Sequence, residues 1–139
     1  MAFIKYKGKT KTVWLPVTAS TVMTKGDILS WSSGLLIRAT SSTTALSHVG
    51  IAKKTILATD TDYATSARLI PVEVPMQKNV IWLADVTTTL VVGDIGAEVD
   101  LTDAQTVNRG ASSVDAVIIA GFISATKGLV TINFYAGKQ

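Results

Sequence analysis

Hydrophobic and polar residues alternate along much of this chain instead of recurring at helical spacing. Over residues 12–18, Val13, Leu15 and Val17 fall on one face and Thr12, Trp14, Pro16 and Thr18 on the other. That period of two is the pattern of a half-buried strand. Pro16 has no N–H for a ladder, so the strand is expected at an edge or beside a bulge. Thr24, Lys25, Gly26 and Asp27 form a turn signal, followed by a short strand over 28–31. Ser32, Ser33 and Gly34 then turn the chain into a strand over 35–39, a hairpin with a glycine-containing connection of about three residues. Residues 40–44 are a polar loop, 49–57 the next strand, and 58–66 a loop around Tyr63 long enough to protrude. An alternating strand over 68–75, punctuated by Pro71 and Pro75, follows.

The order then repeats. Trp14-Leu15, Val17-Thr18 and Gly26-Asp27-Ile28 recur as Trp82-Leu83, Val86-Thr87 and Gly93-Asp94-Ile95. Self-similarity at a fixed period is the first signal to seek, because it decides the architecture. The separation is 68 from Trp14 to Trp82, 67 from Gly26 to Gly93, 71 from Gly50 to Gly121 and 60 from Leu69 to Leu129. Strands kept and loops varied is how a duplicated β unit behaves. The short last interval confines the Tyr63 loop to the first copy. In the second copy, strands are expected over 80–83, 98–101, 116–123 and 127–135, with a polar stretch running to Ser113. No segment predicts a long amphipathic helix. Residues 102–107 are compatible with one helical turn capped by Thr102 or Asp103. The predicted fold is all-β: two pseudo-repeated small barrel-like or sandwich-like units, 11–77 and 78–139, packed into one compact body behind a basic arm over 1–10.

Composition supports the strand reading. The chain is 47% hydrophobic and only 17% charged, with Val, Ile, Thr and Ser in place of helix formers. At 139 residues it can bury a real core without disulfides, and it has no cysteine, which excludes thiolate zinc sites and cysteine nucleophiles. No apolar run reaches the roughly 18–20 residues of a membrane helix. The N-terminal residues lack the apolar stretch of a secretory signal, so synthesis in a cytoplasm is expected, with any exit from the cell by another route.

Charge is uneven. Residues 1–77 hold nine Lys/Arg against four Asp/Glu, and residues 78–139 hold four against six. Lys5, Lys7, Lys9 and Lys11 alternate near the start with no acid among them. With Phe3, Ile4 and Tyr6 between them, they read as an edge strand protected by its charges, as a tail that stays solvated or orders on a partner, or as a nucleic-acid-binding arm.

Catalytic chemistry finds little support. His48 is the lone histidine and lacks a second His or a Cys to build a usual zinc site, so it reads as structural or merely exposed. No Gly-x-Ser-x-Gly elbow or phosphate-binding glycine loop occurs. Asp94, Glu98, Asp100 and Asp103 cluster without a calcium-loop pattern and read as an acidic edge. Gly26 and Gly93 are each expected to supply a positive φ beside a turn-forming Asp. As repeat equivalents, Trp14 and Trp82 are expected to share a packing role. No basic residue lies between 80 and 108 to interleave with aromatics, which argues against a nucleic-acid reader. No metal, cofactor or enzymatic site is therefore expected.

Three clusters carry a family resemblance: Lys25-Gly26-Asp27-Ile28, His48-Val49-Gly50-Ile51-Ala52, and the strand from Arg68 to Pro75. In the second copy Gly93-Asp94-Ile95, Ile119-Ala120-Gly121-Phe122 and Gly128-Leu129-Val130-Thr131-Ile132 match them. Over roughly residues 13–135 the chain resembles the small capsid decoration, or cement, proteins of tailed bacteriophages. The resemblance implies a β-rich protein on the outer capsid surface of the virion, often trimeric at threefold positions, whose partner is the major capsid protein. It implies no catalytic site, cofactor or membrane. Docking is expected through the arm, Phe3, Ile4, Lys5, Tyr6, Lys7, Lys9 and Lys11, by strand addition and by contact with an acidic surface, and through Tyr63. On this reading, removing residues 2–11 abolishes docking without unfolding the protein. The alternatives are another virion part, such as a tail-tube or head–tail joining protein, and a nucleic-acid-binding β barrel.

Overall fold

Local turn chemistry sets the first hairpin. Ser33 and Gly34 take φ of 52° and 83°. Such a two-residue left-handed turn matches the natural twist of paired strands, and it joins β3 (Ile28–Ser32) to β4 (Leu35–Arg38) with Ser32 opposite Leu35. A computed structural model describes residues 3–41, 48–77, 80–87, 89–112 and 116–132. Residues 42–44 of the polar loop, Ser113, the boundary at 77/78 and residues 133–135 of the last strand lie outside the described residues.

The fold is all-β and built of two closed five-stranded barrels. The first adds β2 (Thr10–Val17), β5 (His48–Ala52) and β6 (Arg68–Pro75) to the hairpin, in the order β2-β4-β3-β5-β6. β2 and β6 run antiparallel along their whole length, from Thr10 opposite Pro75 to Val17 opposite Arg68. Closure on the other side is a single parallel contact, Val17 beside Leu36. Val13, Leu15 and Val17 turn inward, as the alternation requires, onto a core of Met23, Leu29, Leu36, Val49, Ile56, Ile70, Val72 and Val74. Gly50 is needed where β5 crosses β6: a Cβ there would lie 2.5 Å from the Glu73 carbonyl oxygen.

The second barrel reuses this plan. β7 (Ile81–Thr87), β8 (Glu98–Asp103), β9 (Thr106–Asn108), β10 (Val117–Ser124) and β11 (Lys127–Ile132) follow the order β7-β9-β8-β10-β11. β7 and β9 again close it in parallel, with Val86 beside Val107. The equivalences, however, differ from those expected. Val86 stands where Val17 does, so the inward positions Val13, Leu15 and Val17 correspond to Trp82, Ala84 and Val86. Trp82 is 1% exposed and Trp14 is 62% exposed. They are one residue out of register, and in a strand one residue reverses the face.

The glycine turn is displaced too. Gly26 N–H donates to Ala52 O and Ala52 N–H to Asp27 O, and Gly96 and Ile119 make the same pair of bonds, with Ala97 in the place of Asp27. Gly96, not Gly93, carries the positive φ (95°, against 96° at Gly26). The residues Val92–Asp94 form a short 3-10 turn instead. On the same register Gly50 corresponds to Val117 and not Gly121, since they face Leu29 and Val99. Leu69 likewise does not match Leu129: Pro71, paired with Trp14, stands where Leu129 pairs with Leu83. Nor do residues 102–107 form a helical turn. Asp103 accepts from the Gln105 N–H at 2.8 Å, and this local bond closes the β8–β9 hairpin where a helix cap was expected.

The N-terminal residues are part of the body and not a free arm. Phe3 is 2% exposed and its N–H donates to Gly26 O. β1 (Ile4–Lys7) then pairs antiparallel with β7, Ile4 opposite Leu83 and Lys7 opposite Ile81. Gly8, at φ 115°, turns the chain against Val80 into β2. A shared core holds the barrels together: Phe3, Ile28, Ala39 and Ile51 join one buried cluster with Trp82, Leu101, Val107 and Ile119. Polar bonds reinforce the junction. Ile28 N–H donates to Ala104 O, and the fully buried Asp27 carboxylate accepts from Gln105 at 2.7 Å and from Thr24 N–H at 2.8 Å while pairing with Arg38 at 2.7 Å.

Candidate functional site

Two neighbouring features of the first barrel make the most distinctive surface. The first follows from alternation. With Val13, Leu15 and Val17 turned inward, Trp14 and Pro16 face outward, and their partners on β6 are Pro71 and Leu69. Trp14 and Leu69 are 62% and 58% exposed, so one sheet face presents a contiguous apolar patch of Trp14, Pro16, Leu69 and Pro71. An indole left this open is a costly use of apolar area unless something covers it.

The second feature is an open groove of about 290 Å³ between β1 and the β5–β6 side of the first barrel. Phe3, Ile51 and Ala52 give it an apolar lining, and Lys5, Lys25 and Lys53 bring three ammonium groups to it, with Glu73 as the acid present. Ligand pockets usually span about 300–1,000 Å³, so this one suits a side chain or two. Glu73 is already engaged, accepting from the Thr10 hydroxyl at 2.6 Å. Lys53 donates to the Thr12 hydroxyl at 3.1 Å. Thr12 precedes Trp14 on the same outward face, so the cationic groove runs directly into the apolar patch.

The expected docking residues separate into three groups. Ile4, Lys5, Tyr6 and Lys7 are exposed on β1, and Lys9 and Lys11 are exposed at the head of β2. Phe3 is buried in the shared core. Tyr63 packs against the core of the first barrel, its hydroxyl donates to Ser20 O at 2.8 Å, and its carbonyl accepts from Ser20 N–H. The Tyr63 loop is found only in the first barrel, β10 and β11 being joined tightly with Ser124 opposite Lys127. It folds back as successive turns, with Arg68 and Asp62 paired at 2.9 Å. The residues that sequence reading passed over are Lys25, Lys53, Leu69 and Pro71. Alternation along 68–75 carried the signal for the last two. Nothing local marked the lysines, which meet Lys5 only through the fold.

The polar groups inside serve packing. His48 and Ser30 are both fully buried on paired strands, with Nδ1 and Oγ 3.1 Å apart. Burial pushes the imidazole pKa down to about 4, so it is neutral at ordinary pH. The spacing would suit a base and a hydroxyl nucleophile, but neither group lines the groove. In the acidic stretch, Asp94 accepts from Arg109 at 2.8 Å and from Val91 N–H at 2.9 Å, which lowers its pKa. Asp100 is buried while Glu98 and Asp103 are exposed. Among the described residues no three acidic or histidine side chains gather closely enough to hold a metal ion, and no helix is long and apolar enough to cross a membrane. Compared with known proteins, the chain matches no family model and no curated sequence.

Proposed function

We propose that this chain is a structural virion protein that binds the outside of a tailed-phage capsid and reinforces it as a decoration protein. The observation that carries the reading is the outward Trp14 patch running into the lysine groove on a doubled barrel. A protein that clamps neighbouring subunits needs a stiff body and a contact surface with an apolar centre and a charged edge. Paired closed barrels supply stiffness and leave few open strand edges. The partner is the major capsid protein, met through Trp14, Leu69 and Pro71 with Lys5, Lys7, Lys9, Lys11, Lys25 and Lys53 around them. Many copies per particle, assembled as trimers, make modest single contacts effective through avidity. No catalysis is assigned to the chain.

Co-sedimentation with purified expanded capsids of the same virus tests this. Saturable binding that Trp14→Ala and Lys25→Glu/Lys53→Glu each weaken at least tenfold is expected. No sedimentation at any ratio sinks the reading. Electron microscopy of the particles separates a capsid-surface position from a ring at the tail or the head–tail joint. An exposed indole near lysines also favours single-stranded nucleic acid as a second reading, which predicts affinity falling steeply with salt. A gel shift that stays negative at low salt removes it.

A further inference from the structure

The internal duplication exposes a vacant strand position. In both barrels the first strand contacts its parallel closing partner only near its end, β2 at Val17 and β7 at residues 85–87. Ahead of that contact the same edge of β7, residues 81–83, is covered by β1. The equivalent edge of β2 spans Thr12 to Trp14, and no strand covers it among the described residues. The direction of its groups is set by its neighbours. Val17 O accepts from Ala67 N–H on the β6 side, whereas Thr18 N–H donates to Leu36 O on the β4 side. Even-numbered residues of β2 therefore aim their backbone groups at the open edge. Thr12 and Trp14 present both N–H and C=O there, while Pro16 presents no donor.

We infer that this edge of the first barrel receives an extended, acidic segment of another protein as an added strand, in the place that β1 fills on the second. The inference deepens the capsid-binding reading by naming how the partner is held. Added strands gain affinity from main-chain hydrogen bonds and specificity from alternate side chains. Here alternate side chains of the segment meet the exposed Trp14 ring. The charge around the edge selects the partner. Lys9 and Lys11 are exposed where β2 begins, and Lys53 reaches the Thr12 hydroxyl; the acid beside the edge, Glu73 opposite Thr12, is held by the Thr10 hydroxyl and outnumbered by these lysines. A second copy of this chain offers the same lysines and is repelled, the usual defence of an open edge, whereas an acidic strand is drawn in.

The test uses the full chain and a synthetic peptide of alternating Val and Glu, with a Val–Lys peptide as control. Amide hydrogen exchange is read at Thr12 and Trp14. The Val–Glu peptide should slow both amides at least tenfold, and the Val–Lys peptide should not. Thr12→Pro removes an outward donor that the β6 ladder does not use. It should keep the melting temperature within a few degrees and weaken peptide binding at least tenfold. Lys9→Glu/Lys11→Glu should weaken it similarly and stands in if Thr12→Pro fails to fold. Unprotected amides at millimolar peptide, equal binding by these variants, protection that grows with protein concentration alone, or protection by DNA in place of the peptide would each overturn the inference. Capsid co-sedimentation keeps the two ideas apart. Full capsid binding by Thr12→Pro defeats the strand position and leaves the capsid reading standing. Peptide binding without capsid binding does the reverse.

Discussion

At the scale of single residues, the two tryptophans that advertise the repeat do opposite things. Trp82 fills the second barrel, and Trp14 lies in the open on the first. Removing a buried aromatic side chain usually costs about 3–5 kcal/mol. Urea denaturation should therefore show a loss of that order for Trp82→Ala and a change within about 0.5 kcal/mol for Trp14→Ala. Equal losses would mean that Trp14 is covered. His48 sets the acid response. Its pKa is about 4 folded against about 6.5 unfolded, so the unfolded chain binds more protons between those values. Stability is full above about pH 6.5 and falls as pH drops toward 4, by about 3 kcal/mol in all. The variant His48→Asn keeps a polar partner for Ser30 without titrating, and it should flatten that slope. An unchanged slope would assign the acid loss to other groups.

At the scale of elements, the N-terminal segment is where a pattern of alternating lysines understates the structure. Exposed lysines suit an edge strand or a tail equally well, and the residue that decides is Phe3. One aromatic ring among basic residues carries no periodicity, yet it anchors the segment in a core formed mostly by residues more than 70 positions away. Removal of residues 2–11 therefore strips β1 from β7 and leaves a hole beneath it, and this truncation should unfold the protein or lower its melting temperature sharply. Phe3→Ala alone should cost about 3–5 kcal/mol, measured by thermal melting. A melt unchanged by that substitution would show that Phe3 adds nothing to the core. Docking is thus better examined with lysine substitutions than with deletions. The turn at Gly26 and Asp27 shows the opposite case. Its glycine conformation was legible locally, but the carboxylate's binding of Arg38 and of Gln105 across the junction was not.

At the scale of the whole molecule, the duplication is a duplication of topology more than of sequence. Strand order, the parallel closure and the Gly26/Gly96 bonds repeat, while the most similar words, Trp-Leu and Gly-Asp-Ile, sit out of register. Because a buried cluster spans both barrels, the chain should unfold in one cooperative transition, with calorimetric and van't Hoff enthalpies in agreement. Asp27→Ala, which leaves Arg38 and Gln105 without their acceptor, should pull those enthalpies apart as the barrels uncouple. A wild-type chain that melts in two steps would show that the barrels are independent.

From sequence alone the alternation at Val13, Leu15 and Val17, the turn at Ser33 and Gly34, the presence of a repeat and the all-β class were determined, because each depends on neighbours within a few residues. Only the tertiary structure decided which strand faces were equivalent, since a period of two permits two registers and packing selects one. It also decided the burial of Phe3, the meeting of Lys5 with Lys25 and Lys53, and the open edge of β2. Each of these joins residues far apart in the chain, where no local pattern records the distance between them.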